Sequence, residues 1–158
     1  MEEKQIKFYW KESDDIFIGR NIVCSDNSII FEPSVDVGAF GLYLFKWIIE
    51  IPTGTIGKNN FRYLGGYFFD DRVKKQKLTI PAAKKGQIYF NANFPLMHGF
   101  YYNDYVPFKQ QMYFDQLTNW FAVGDLTRKG SAIEFASNNI AIINDNKDLV
   151  AVYAKLFF

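Results

Sequence analysis

The stretch IAIINDNKDLVAVYAKLFF (Ile140–Phe158) ends the chain and joins two apolar runs through a polar break. Strand side chains alternate between the two faces of a sheet, so residues two apart share a face. The second run has an apolar residue at every second position: Val150, Val152, Ala154, Leu156 and Phe158. The Asx-rich break NDNKD suits a tight reversal. The stretch therefore predicts a hairpin whose last strand is buried.

The same two-residue period predicts strands throughout the chain. At the N-terminus Ile6, Phe8 and Trp10 alternate with Lys7, Tyr9 and Lys11. A second hairpin is predicted from residues 16–24 and 28–31, which flank the turn-prone SDNS. Further strands are expected at Asn60 to Phe69, Val73 to Ile80, Gln87 to Asn91 and Ala132 to Ala136.

The most hydrophobic run, residues 37–51, contains Lys46 and Glu50 and is shorter than the roughly twenty apolar residues that a membrane-spanning helix needs. Its alternation predicts one long strand. The residues expected on one face are Tyr43, Phe45, Trp47, Ile49 and Ile51. One helix is a candidate, within QQMYFDQLTNWF, where Tyr113, Leu117, Trp120 and Phe121 have helical spacing.

These patterns predict a single all-β domain over residues 1–158. We expect about ten short strands in a sandwich, jelly roll or barrel, with at most one or two short helices. No internal repeat or linker divides the chain.

The charge composition excludes a strong global field. Lysine and arginine number 18 against 17 acidic residues, which gives a net charge of +1. Binding to nucleic acid or to a membrane surface is therefore not expected, although the basic stretch with Lys74, Lys75, Lys77, Lys84 and Lys85 lies near aromatic strands. Cys24 is the single cysteine and no signal peptide is evident, so we expect a cytoplasmic protein.

Motifs for catalysis or for a cofactor are not found with the required spacing. Cys24 and His98 are the only thiol and imidazole, and a lone histidine does not supply a histidine metal cluster. Residues 52–60 resemble a phosphate loop only at Gly57 and Lys58. We expect no cofactor and no metal site. An enzyme stays open, because acidic groups and tyrosines need only be close in space, but the sequence favours a protein without catalysis.

The segment NANFPLMHGFYYNDYVPF (residues 91–108) holds the only histidine among six aromatic residues. Its rings either fold over the core or line a site, in which tyrosine hydroxyls would give directional hydrogen bonds. The sequence hypothesis is a non-catalytic binding protein for a small apolar or ring-bearing ligand. Its candidate ligand-binding residues are His98, Tyr101, Tyr102, Tyr105 and Trp120.

PAAKKGQIYFNANFPLMHGF (residues 81–100) resembles the second conserved motif of the cupin superfamily, in which a glycine starts a strand and a histidine follows the next turn. Here these would be Gly86 and His98. The resemblance implies a jelly roll with a ligand inside the barrel and His98 directed toward it. No upstream H-x-H stands in this chain, so the resemblance implies a metal-free barrel.

The alternative is a protein–protein interaction module or assembly subunit. In that case exposed tyrosines and an open strand edge would meet another chain, and a homo-oligomer stays open.

Overall fold

The computed structural model describes residues 5–33, 41–44, 49–52, 61, 65–94, 101–102 and 111–158. Strands dominate these residues, so the all-β prediction is confirmed. The strands are β1 (Ile6–Glu12), β2 (Arg20–Val23), β3 (Ser28–Glu32), β4 (Gly41–Leu44), β5 (Ile49–Pro52), β6 (Gly65–Tyr67), β7 (Lys74–Lys75), β8 (Lys84–Ala92), β9 (Tyr101–Tyr102), β10 (Met112–Asp115), β11 (Trp120–Gly124), β12 (Ser131–Ala136), β13 (Asn139–Ile143) and β14 (Leu149–Phe157). The described helical structure is a single 3₁₀ turn, Asp70–Arg72.

Among the described residues, no helix is long and apolar enough to cross a bilayer.

The C-terminal hairpin lies at the centre of the sheet. β14 pairs antiparallel with β13 on one edge and with β11 on the other. In the turn, the Asp148 N–H donates to Asn144 Oδ1 at 2.9 Å, and Lys147 adopts a positive φ of 64°. Asx side chains support such reversals by bonding to nearby backbone groups. The predicted hairpin is therefore confirmed, and β10 and β12 extend the sheet beyond β11 and β13.

The sheet divides at the end of β14. Opposite Ala154 the β12–β13 hairpin turns back, and beyond that point Leu156 and Phe157 pair in parallel with Asn21 and Ile22 of β2. From β2 the order continues through β3, β6, β5 and β4 to β9, and β12 leads the other way through β8 to β1. Asn21 joins the two parts, because its Nδ2 donates to the Lys155 carbonyl at 3.2 Å. The result is a mostly stranded fold compatible with a sandwich or a jelly roll.

The inner face of this curved sheet encloses the main hydrophobic core. Alternate residues of the strands point into it, including Phe8 of β1, Phe90 of β8, Phe121 of β11 and Val152 of β14, each fully buried. The Phe61 ring packs edge-on against Phe8 at 5.8 Å. Aromatic side chains bury large areas, so the high phenylalanine content is used for packing here.

The apolar row of the last strand is broken at both ends. Ile142 lies opposite Ala151 but Ile143 lies opposite Leu149, so Val150 is the extra residue of a β-bulge. Val150 therefore packs in a second cluster on the outer face, while Val152 faces the main core. Phe158 lies beyond the strand and is mostly exposed, so its predicted burial is wrong.

The helix candidate is wrong. Residues 112–121 of that segment form β10, a turn and the start of β11, with Phe114 and Phe121 paired across the two strands. Asn119 adopts a positive φ of 63°, and its N–H donates to the Asp115 carbonyl at 2.8 Å, which closes the turn. Asparagine tolerates this left-handed conformation, which a continuous helix does not use. The helical spacing arose because two short strands flank a turn of four residues.

The long strand expected in residues 42–51 is also wrong. β4 and β5 pair antiparallel with each other, and Leu44 lies opposite Ile49. Both therefore belong to a hairpin, and residues 45–48 lie outside the described part of the chain. A run that is apolar at nearly every position carries no period that would mark where one strand stops.

Two other predicted strands are shorter in the structure than expected. Within residues 60–69, the described strand structure is β6 and an isolated bridge at Phe61. Within residues 73–80, only β7 is a strand. The strands predicted at 6–10, 87–91 and 132–136 are confirmed as β1, β8 and β12, and the SDNS hairpin as β2 and β3.

Candidate binding surface

A segment of the chain covers one half of the outer face of the sheet. Residues 76–83, here called the strap, run from β7 beside β10 to the start of β8 beside β12. Leu78 of the strap belongs to the second hydrophobic cluster, and Ile80 packs against it. The sheet residues of this cluster are Ala122, Ile140, Ile142, Val150, Ala151 and Tyr153. Burial in this cluster raises the pKa of Tyr153.

A buried carboxylate anchors the strap. Asp115 ends β10, and its Oδ2 accepts the Leu78 N–H at 3.0 Å. Its Oδ1 accepts the Leu117 N–H, also at 3.0 Å, in the turn that leads to β11. These donors stabilise the charged form, and the bond from Leu78 is the main reason why the pKa of Asp115 is lowered. One side chain therefore shapes the β10–β11 turn and holds the strap.

The other half of the outer face has a different composition. Phe157 of β14 lies opposite Ile22 of β2, and Ile22 lies opposite Ile30 of β3. Directly opposed residues share a face, as do residues two apart on one strand. Lys155 and Arg20 therefore share this face, and so does Tyr67 of β6, which lies opposite Ser28. We call this set the open strip: Lys155, Phe157, Arg20, Ile22, Ile30 and Tyr67.

The apolar members of the open strip are accessible. Ile30 is 41% exposed and Tyr67 is 47% exposed, whereas Ile22 and Phe157, on the β2 and β14 side of Ile30, are half-buried. Their strand neighbours Ile29 and Phe31 point to the other face and are buried in the core. β3 therefore has an apolar residue on each face, Ile30 between Ser28 and Glu32 on the outer face and Ile29 and Phe31 on the inner face.

The cations of the open strip contact an aromatic ring. The Arg20 guanidinium lies 5.8 Å and the Lys155 Nζ 5.6 Å from the centre of the Phe157 ring. A cation near the face of a ring is attracted by the ring quadrupole. In the part of the chain that the structure describes, neither Arg20 nor Lys155 forms an ion pair, although Glu32 lies opposite Arg20 in the register.

Beyond Tyr67, a second aromatic ring is contacted by a cationic side chain. The Tyr67 and Phe69 rings are stacked with their centres 6.0 Å apart, and the Arg72 guanidinium lies 5.6 Å from the Phe69 ring. A ring contacted by a cationic side chain therefore lies at one end of the strip, Phe157, and just beyond the other, Phe69.

Of the residues predicted from sequence, Trp120 lies at the border between the two halves. It is opposite Lys155 on the outer face and packs, partly buried, against the covered cluster. Tyr101 and Tyr102 form β9, which pairs with β4 at the far end of the strand order. His98 and Tyr105 lie outside the described residues, as does most of the segment Phe94 to Phe108. Whether these side chains meet Trp120 stays a prediction.

The other charged regions of the described chain are weaker candidates for a binding site. A wide cleft of about 430 Å³ lies where β1 ends and β8 begins, but it is lined by Glu12, Ser13, Asp14, Lys84 and Lys85. Lys84 already pairs with Glu12 at 3.0 Å. The basic stretch is also divided, since Lys74 and Lys75 lie beside β10 while Lys84 and Lys85 lie beside β12. Within the described ranges, no group of three potential metal ligands comes together.

Comparison with known proteins gave no match, either among protein-family models or among curated proteins. The cupin resemblance therefore has no support beyond the general form of the sheet.

The open strip was missed in the sequence, although a signal for it exists. In RNIV and SIIFE, both alternating sets contain apolar residues, and the chain ends in LFF without a polar alternation. Strands that are apolar on both faces are normally covered on both faces. That pattern predicts a second covered or binding face, but it does not say which strands lie side by side.

Proposed function

We propose that this chain is a non-catalytic binding protein and that the open strip is its binding surface. The observation that carries the proposal is the exposure of Ile30 and Tyr67 in a row with Ile22 and Phe157. A solvated sheet face usually carries polar residues, and a contiguous apolar patch with a polar rim is typical of a binding surface.

The chemistry of the strip favours a ligand with an apolar or ring-bearing group. Ile22 and Ile30 offer aliphatic contact, Tyr67 and Trp120 offer rings, and Arg20 and Lys155 can donate hydrogen bonds to an anionic group. This agrees with the sequence hypothesis of an aromatic-lined site. The contribution of His98, Tyr101, Tyr102 and Tyr105 is part of the same proposal, as are a cytoplasmic location and a jelly-roll form of the sheet. An internal ligand of the cupin type is not part of it, because buried side chains such as Phe8, Phe90 and Phe121 fill the inner face.

A protein partner is the second candidate, and the shape of the strip favours it. The strip is a sheet face formed by the side chains of neighbouring strands. Small ligands usually bind in concave pockets, whereas protein interfaces are flatter. Size-exclusion chromatography with light scattering tests the special case in which the partner is a second copy.

The proposed surface can be tested with 1-anilinonaphthalene-8-sulfonate, a dye that combines aromatic rings with one negative charge. Dye fluorescence is measured with the native protein and with the Ile30→Thr and Tyr67→Thr variants, which keep β-forming residues in β3 and β6. We expect both variants to lower dye binding, because each removes accessible apolar area from the strip.

The matched control is Tyr89→Thr. Tyr89 is 36% exposed and stacks on Tyr9 at 5.6 Å on the outer face of β1 and β8, away from the strip. This variant should bind the dye as the unmodified protein does. Equal loss in all three variants, or no dye binding to the folded protein, would reject the open strip as the binding surface.

A further inference from the structure

We propose that the open strip binds an extended acidic segment of a partner protein, with apolar side chains at alternate positions. This inference rests on the proposed function of the strip as a binding surface and specifies the partner.

The strap shows how this face accepts an extended chain. The strap crosses β11, β14 and β13 between its two ends, and it places Leu78 and Ile80, two residues apart, against the sheet. In an extended chain every second side chain points the same way. The open strip continues the same face from β14 to β2, β3 and β6, so we expect a chain with the same alternation to lie across Phe157, Ile30 and Tyr67.

The charges distinguish the two occupants. The strap itself has one charged residue, Lys77, and the lysines that flank the strap are already paired, Lys75 with Asp70 at 2.6 Å and Lys84 with Glu12 at 3.0 Å. On the open strip, Arg20 and Lys155 form no ion pair with a described carboxylate, although Glu32 lies opposite Arg20 in the register. Both cations are held against the Phe157 ring, so carboxylates of a partner segment would meet donors already in position.

The same contacts favour a peptide over a single-stranded nucleic acid. Nucleic-acid platforms stack bases on free ring faces. Here Phe157 is contacted by Arg20 and Lys155, and Phe69 is contacted by Arg72 and stacked on Tyr67. The accessible groups between the rings are the aliphatic side chains Ile22 and Ile30, which suit aliphatic partners.

The span of the strip sets the length of the segment. From β14 to β6 there are three strand spacings of about 4.8 Å, or about 14 Å. An extended chain covers this distance with about five residues at about 3.3 Å each. A peptide of about seven residues therefore spans the strip with one residue to spare at each end.

The test uses three fluorescein-labelled probes and the full chain. Two are peptides of about seven residues in which isoleucine and valine alternate either with glutamate or with lysine, and the third is a short oligothymidylate. Fluorescence anisotropy at low salt should show the acidic peptide binding more tightly than the other two. Added salt should weaken that binding, because exposed charges are screened.

Variants then locate the binding. Arg20→Gln and Lys155→Gln should each weaken the acidic peptide by roughly two- to fivefold, the range expected for exposed ion pairs. Lys11→Gln is the control, because Lys11 is an exposed lysine on the outer face of β1. Circular dichroism melting of each variant excludes loss of folding as the cause.

The outcomes separate this inference from the proposed function. If the dye binds the strip but the acidic peptide does not exceed the basic peptide, or if oligothymidylate binds more tightly than both, the acidic segment is rejected and the binding surface stands. If neither the dye nor any probe binds, both proposals are rejected. Equal weakening by Lys11→Gln would also overturn the assignment to Arg20 and Lys155.

Discussion

The covered and open halves of the outer face share strand β14 but differ in what lies on them. Over Val150, Ala151 and Tyr153 the chain places its own strap, and these residues are buried. Further along the same strand, Phe157 lies beside Ile22 and Ile30 without such a cover from the described residues. The covered half contributes to folding, whereas the open half leaves apolar surface exposed, which we propose is a binding surface. Five measurements test this difference between the two halves.

The largest expected effect is on the covered half. Leu78→Ala removes a side chain that is 7% exposed, and we expect a loss of about 2–3 kcal/mol in the free energy of unfolding. Urea denaturation measures this loss. The neighbouring exposed Thr79→Ala should change the free energy of unfolding by less than about 0.5 kcal/mol. Similar values for the two variants would show that the strap does not stabilise the fold.

The anchor of the strap should give the next largest effect. Asp115→Asn replaces a carboxylate that accepts two backbone N–H groups, so the melting temperature should fall and the strap should loosen. Proteolysis within residues 76–83 should become faster. Asp145→Asn, in the exposed β13–β14 turn, is the control and should leave both measurements unchanged.

The pH dependence follows from the same group. The folded pKa of Asp115 lies below its ordinary value of 3.8, mainly because of the bond from the Leu78 N–H. The stabilisation is therefore present above about pH 4 and is lost as the pH falls through the folded pKa. Asp115→Asn should lose stability less steeply on acidification. Some acid sensitivity should remain, because bonds from Ser28 and Thr127 also lower the pKa of Asp26 and Asp125. Melting curves between neutral pH and about pH 2 test the difference in slope.

The open half should contribute much less to stability. Ile30→Thr keeps a β-branched residue at a position that is 41% exposed, and it should cost about 1 kcal/mol or less. Ile29→Thr is the matched comparison on the opposite face of β3, where a hydroxyl enters the core, and it should cost several times more. Equal costs would mean that the open half is as much a core as the covered half.

The smallest effect is expected for Arg20→Gln. An exposed cation–π contact is worth about 0.5–1 kcal/mol, and Lys155 stays beside the Phe157 ring after the substitution. The unfolding free energy should fall by about 0.5 kcal/mol in urea denaturation. A much larger loss would show that Arg20 is required for folding rather than available for a partner.

Hairpins with a local signal were predictable from the sequence. Asp26 accepts both the N–H and the O–H of Ser28 in the SDNS turn, and Asn144 accepts the Asp148 N–H in the NDNKD turn. These bonds join residues two and four positions apart, so the residues that make them are visible in the sequence. Both hairpins are confirmed.

The failures occurred where no local signal distinguishes the alternatives. Residues 113–121 have helical spacing, yet the turn between Asp115 and Trp120 makes them two strands. Residues 73–80 look like a strand, but from residue 76 onward they cross the sheet as the strap. Each outcome depends on the surface against which the segment packs, and that surface is built by residues distant in the chain.

The sequence by itself determined the strand content and the two hairpins that Asx turns close. Its alternating apolar residues and Asx turns are short-range features, and they specify which residues can pair locally. Only the tertiary structure decided that β14 pairs with β2 and that the strap covers half of the outer face. The open strip depends on both, because its members come from β2, β3, β6 and β14 and share a face only after these strands lie side by side.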